Sequence, residues 1–214
     1  MEANEITLKT FAVSIAAVLG VETAFRLVTA AITVFPMLAL STIRCLEAVI
    51  LMAITLRFEK GPDAIGLSRS QILPGLGKGL IWSACFGIAA GVIYFVLLLV
   101  GFNALKLLNG PKPPSCKEVA AFFLAGCVIG PISEEIFFRG IIYGFFRHWG
   151  VMIAVLLSTV IFVLIHPIGG SLPLTQLVGG IIFALAYEKE QSLMVPITIH
   201  CLGNLAIFSL TYLS

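Results

Sequence analysis

Two adjacent carboxylates and an arginine stand inside an otherwise apolar run, residues 131–144, PISEEIFFRGIIYG. An ionised side chain at bilayer depth costs roughly 2.5–3.5 kcal/mol on insertion scales, so Glu134, Glu135 and Arg139 require pairing, burial in protein, or a chemical task. Helical spacing divides them. Residues four apart share a face, which pairs Glu135 with Arg139, while Glu134 sits about 100° round the helix on the face of Phe138. One carboxylate is neutralised and one is left over in a dry site, where it suits a group that takes and returns protons.

The other polar residues inside apolar runs form two pairs, Phe162 with His166 and His200 with Asn204, each four apart on one helix face. The helical rise puts Glu134 roughly 20 Å from Arg147, His166 roughly 25 Å from Trp149, and His200 and Asn204 roughly 12 and 18 Å from Ser192. These depths match near mid-membrane. Taken singly, a buried histidine is an ordinary core residue and an asparagine in a membrane helix is interhelical glue. Taken together, a carboxylate, two imidazoles and an amide at one depth form a catalytic constellation. Of the three histidines only His148, at a helix end, lies outside it.

The chain that must position these groups has 214 residues, of which 59% are hydrophobic and 11% charged, far outside the range of soluble globular proteins. Its mean hydropathy is +1.09. Several runs reach the roughly 20 residues that cross a hydrocarbon core, without the alternation of barrel strands. The expected fold is all-α, a polytopic membrane helix bundle of about seven spans, six to eight. A single membrane domain over 1–214 is expected, with 1–116 its variable helical part and 117–214 its catalytic core. The N-terminal ten residues do not read as a cleavable signal peptide. A net charge of +2 with no block of like charges points to neither nucleic acid nor a polybasic lipid-binding tail. The five cysteines (Cys45, Cys85, Cys116, Cys127, Cys201) show no CxxC pairing and read as small buried hydrophobes.

In order, residues 10–55 are apolar for long enough to cross twice, with a turn at Phe35-Pro36. Counting outward from that turn, Arg26 matches Arg44 in depth and Glu22 matches Glu47, which predicts an ion-pair cluster between the first two helices, either a structural staple or part of a substrate path. Residues 57–78 are a polar connection with an interfacial helix around 68–76, and 80–100 a third span. A second connection, 103–117, carries GPKPPS, whose prolines stop any helix. The fourth helix runs from near Lys117 to Arg147 with a kink at Gly130-Pro131. The fifth covers 151–165 and ends at His166-Pro167. A glycine-bearing loop, 168–173, follows, and the stretch from His166 to Pro173 with the start of the sixth helix is expected to line the mouth of the cavity. The sixth helix covers 174–187 and the seventh 193–213. Lys9, Arg57, Lys60, Arg69, Lys78, Arg147 and Lys189 then fall on one side against Lys106, Lys112 and Lys117, which makes the first side cytoplasmic.

These residues resemble the CPBP intramembrane proteases, which include the type II CAAX prenyl endopeptidases or Abi proteins. EExxxR appears as Glu134, Glu135 and Arg139, FxxxH as Phe162 and His166, and HxxxN as His200 and Asn204. The resemblance implies an intramembrane glutamic endopeptidase in which Glu134 and His166 activate a water. It makes His200 and Asn204 hold the oxyanion, with Glu135, Arg139 and Phe162 as support. It implies no cofactor and no metal. The partners implied are a membrane protein or peptide substrate and the lipid bilayer, in a prokaryotic plasma membrane. A C-terminal sorting signal, a peptide precursor, a regulator or a CAAX-type protein would serve as substrate. The competing readings are a zinc-dependent membrane protease built on the same residues, a proton-coupled transporter, and a scaffold without catalysis.

Overall fold

The computed structural model describes residues 5–31, 36–59, 61–104, 118–166 and 173–213. Residue Phe35 of the first turn, Cys116, Lys60, Lys106, Lys112, Lys117, the GPKPPS segment and nearly all of the 168–173 loop lie outside the described residues.

Among the described residues there is no strand, and seven helical rods account for the chain. They are α1 (Leu8–Ala31), α2 (Pro36–Phe58), α3 (Ile72–Leu99), α4 (Val119–Trp149), α5 (Val151–Ile165), α6 (Leu174–Glu190) and α7 (Met194–Leu213). Five of them are long and apolar enough to cross a membrane, and α5 and α6, with 15 and 17 residues, are shorter. The chain is therefore an all-α, multi-pass bundle. The charged helix α4 is central, in contact with α1, α2, α5, α6 and α7, while α3 packs chiefly on α7.

Two expectations change. The third helix starts at Ile72 rather than near Leu80, so the expected interfacial helix around 68–76 is instead a short turn at Arg69–Gln71 that runs into it. Pro74 falls in its first turn, where a missing N–H is tolerated. Gly75 and Gly79 are needed in this helix because α7 and the turn before it pass so close that a Cβ would meet Ser192 Oγ and Thr198 Cβ, respectively, at 2.5 Å. The cysteines also differ from expectation: Cys45 and Cys85 are exposed on the outer face, Cys127 is buried and Cys201 half-buried, because an apolar thiol costs little against lipid.

The helix ends expected on one side do gather at one end of the bundle. Lys78 Nζ reaches Glu190 at 2.8 Å, Arg147 Nη2 reaches Glu188 at 3.1 Å, and His148 Nε2 faces Glu5 at 3.3 Å. Thr7 donates to Glu59 at 2.8 Å, and Tyr143 donates to Glu188 at 2.7 Å. The predicted ion cluster between α1 and α2 also forms, with Arg44 as its hub, bonded to Glu22 at 3.1 Å and Glu47 at 2.6 Å. Arg26 is exposed and takes no part in these two pairs.

Candidate active site

The helix carrying the two carboxylates is not a regular α-helix. Ala125–Ile129 and Ile136–Tyr143 are π-helical, and the α-helical turn Gly130–Glu135 between them holds Glu134 and Glu135. Such wide turns inside helices often mark functional sites. The first has a cause in the sequence. Gly130 N–H reaches back five residues to the Ala125 carbonyl. In that register the next amide would serve Gly126, but position 131 is proline and has no N–H. Asn204 provides the donor instead, its Nδ2 lying 2.8 Å from Gly126 O. The expected kink at Gly130-Pro131 is thus a π turn whose freed carbonyl is tied to α7.

Glu135 and Arg139 pair as their spacing predicts, Nη1 to Oε1 at 2.8 Å with both side chains fully buried. Arg139 Nη2 also donates to Gly180 O on α6 at 3.3 Å. Its guanidinium lies 4.9 Å from the Phe162 ring and 5.1 Å from the Phe183 ring, where aromatic faces favour a cation.

The same Glu135 Oε1 lies 2.7 Å from His200 Nδ1. A carboxylate that accepts from Arg139 leaves Nδ1 as the proton donor, so Nε2 is turned away from Glu135. His166 is oriented by the same logic. Its Nδ1 lies 2.7 Å from Phe162 O, and a carbonyl only accepts, so Nδ1 carries the proton. The Phe162 ring packs 4.4 Å from the His166 ring, and Phe183 stacks on His200 at 4.7 Å.

Both free ring nitrogens face one atom. Glu134 Oε2 lies 3.8 Å from His166 Nε2 and 3.8 Å from His200 Nε2. That is too long for a direct hydrogen bond and suits a water about 2.8 Å from each group. Glu134 is 21% exposed and His166 25%, against 6% for His200, so the cluster is open on the Glu134–His166 side. Chemically it offers a carboxylate, two oriented imidazoles and room for a water between them.

The structure therefore brings Glu134, Glu135, Arg139, Phe162, His166 and His200 together, and puts Asn204 one helical turn from His200 with its amide on Gly126. The contacts of Glu135 with His200 and of Asn204 with Gly126 are not read from the sequence. The missing N–H of Pro131 was a visible signal for the second; the first had none. Among the described residues no group of three or more His, Cys, Asp or Glu is placed to hold a metal ion.

A family model described as type II CAAX prenyl endopeptidase Rce1-like matches residues 117–206, the segment that contains every residue of the cluster. YdiL of Bacillus subtilis (strain 168), designated a membrane peptidase, is 30% identical over 172 residues, 77% of this chain and 67% of YdiL. MroQ of Staphylococcus aureus (strain USA300), designated a membrane-embedded CAAX protease, is 35% identical over 95 residues, which is 41% of this chain and 38% of MroQ. No solved structure matches the chain. The apolar helices and these relatives describe a multi-pass prokaryotic membrane protein. Because the likeness to YdiL runs through most of both chains and the family match falls on the polar cluster of α4, α5 and α7, this chain belongs to the CPBP family of membrane proteases.

Proposed function

We propose that the protein hydrolyses a peptide bond of a membrane-associated protein or precursor by a glutamic mechanism centred on Glu134. The observation that carries this reading is the placement of Glu134 Oε2 at 3.8 Å from the Nε2 atoms of both His166 and His200, each ring oriented through its Nδ1. A water between Glu134 and His166 gives one proton to Glu134 as its oxygen attacks the scissile carbonyl. The resulting oxyanion needs donors already in place. His200 Nε2 donates when the ring carries both protons, and Glu135 is the countercharge for that state. Asn204 has a second N–H beyond the one bound to Gly126 O. Collapse of the intermediate breaks the C–N bond, and Glu134 returns its proton to the leaving amine. Glu135, Arg139 and Phe162 hold the histidines.

A substrate whose own helix satisfies its backbone must unwind locally to expose a carbonyl at this depth. We take the substrate class to be a C-terminal sorting signal, a peptide precursor, a membrane regulator or a CAAX-type protein. The single domain is read as a catalytic core from 117 onward, with the helices before it as its variable part. The test compares protein N- and C-termini in membranes holding the parent or Glu134→Gln. New termini present only with the parent identify both activity and substrate, and identical termini would refute the reading. Cleavage is expected to persist after exhaustive chelation, because each step above uses only proton donors and acceptors of this chain.

A further inference from the structure

The chemistry proposed above uses groups on α4, α5 and α7, all within the matched segment 117–206. A second charged cluster lies against it from the half of the chain that the family model does not cover. Arg44 on α2 holds Glu47 at 2.6 Å and Glu22 of α1 at 3.1 Å. Glu47 is 3% exposed, and its Oε1 has no hydrogen-bond partner among the described residues. Its Oε2 accepts from Arg44 and lies 3.4 Å from Ser133 Oγ, a loose hydrogen bond. Ser133 is the residue before Glu134. Arg44 also lies within electrostatic reach of Glu134 itself.

A staple between α1 and α2 would need only the Arg44–Glu22 pair. Burying Glu47 as well, with one oxygen unsatisfied, is a poor way to gain stability, since buried ion pairs are often replaced by apolar residues without loss. What Glu47 adds is contact with the turn that carries the base. We infer that Arg44 and Glu47 are positioning residues of the active site, which hold the Ser133–Glu134 turn and place a fixed charge pair beside the carboxylate of Glu134. This rests on Glu134 being the proton acceptor.

The charged and titratable groups around Glu134 are then His166 from α5, His200 from α7, Arg44 and Glu47 from α2 with Glu22 of α1 behind them, and Glu135 and Arg139 on its own helix. Removing a neighbouring cation disfavours an ionised carboxylate, and removing a neighbouring anion favours it. The two positioning residues therefore have opposite signatures, which loss of packing does not produce.

The test measures kcat and KM against pH for Arg44→Met, Arg44→Lys and Glu47→Gln in liposomes, with melting temperature recorded alongside. The probe is a quenched peptide spanning a cleavage site mapped by the terminus comparison and tethered to a transmembrane segment. In Arg44→Met the acid limb of kcat moves to higher pH, with KM unchanged. Arg44→Lys restores the parent profile, and Glu47→Gln moves the limb to lower pH. A folded Arg44→Met or Glu47→Gln with the parent's pH profile overturns the inference. If Arg44→Met does not fold, Glu47→Gln decides alone, since it keeps Arg44 paired with Glu22. Activity retained in Glu134→Gln would mean that the mechanism itself has failed; an inactive Glu134→Gln beside unmoved limbs would mean that only this inference has.

Discussion

His200 Nδ1 lies 2.7 Å from Glu135 Oε1, the oxygen that Arg139 also reaches at 2.8 Å. One carboxylate thus serves a buried cation and a histidine of the cluster at once. Glu135→Gln is expected to fail twice. Leaving Arg139 uncompensated costs about 3–5 kcal/mol, and His200 loses the anionic partner that balances its doubly protonated ring. Neutralising Glu135 and Arg139 together removes the unpaired charge and should recover melting temperature in detergent without recovering cleavage. Recovery of both would reduce Glu135 to a structural role.

Asn204 and Pro131 should be energetically coupled. With proline present, Asn204→Ala leaves Gly126 O without its donor, at a cost of about 1–3 kcal/mol. Pro131→Ala supplies an amide in the register that Gly130 N–H already follows to Ala125 O. In a double-mutant cycle of melting temperatures, Asn204→Ala should therefore cost less in the Pro131→Ala background. Strict additivity would contradict this account of the π turn.

Gly180 lies where a Cβ would meet Thr159 Cγ2 at 2.8 Å, and its carbonyl accepts from Arg139. Gly180→Ala should lower the melting temperature. Adding Thr159→Ala should restore much of it, because that change removes the obstructing methyl and a buried hydroxyl that has no hydrogen-bond partner among the described residues. Failure of the pair to recover would mean that α5 and α6 tolerate separation.

Glu190, beyond the apolar part of α6, is held below the ordinary carboxylate range chiefly by its hydrogen bond from Lys78, and also by that from Trp82. A carboxylate depressed in the folded state contributes stability that is present above its unfolded value and is lost as pH falls through its folded value. Glu190→Gln should lower the melting temperature at neutral pH, with the difference from the parent closing in the acid range. A difference that grew on acidification would have the wrong sign.

The parts of the molecule legible in the sequence are those set by local periodicity. α5 runs over Val151–Ile165 as expected, because an unbroken apolar run ends at His166-Pro167. Glu135 meets Arg139 because four residues span one turn on one face. α3 was less legible, since Gly75 and Gly79 resemble loop residues until α7 is seen passing against them. Glu135 with His200 and Asn204 with Gly126 join positions 65 and 78 residues apart, and their meeting depends on how the π turns rotate α4. Spacing along one helix cannot report that rotation. The Arg44 cluster was legible as a group of charges at matched depth, but its contact with Ser133 was not.

The proposed mechanism makes Glu134, and not its neighbour Glu135, the proton acceptor. Glu134→Gln keeps the size and hydrogen-bonding capacity of the side chain while removing its basic oxygen. The decisive measurement is the cleavage rate of a membrane-tethered reporter by purified Glu134→Gln, beside its melting temperature in detergent. The mechanism predicts a melting temperature close to the parent's and almost no cleavage; cleavage at the parent's rate by a folded Glu134→Gln would contradict it.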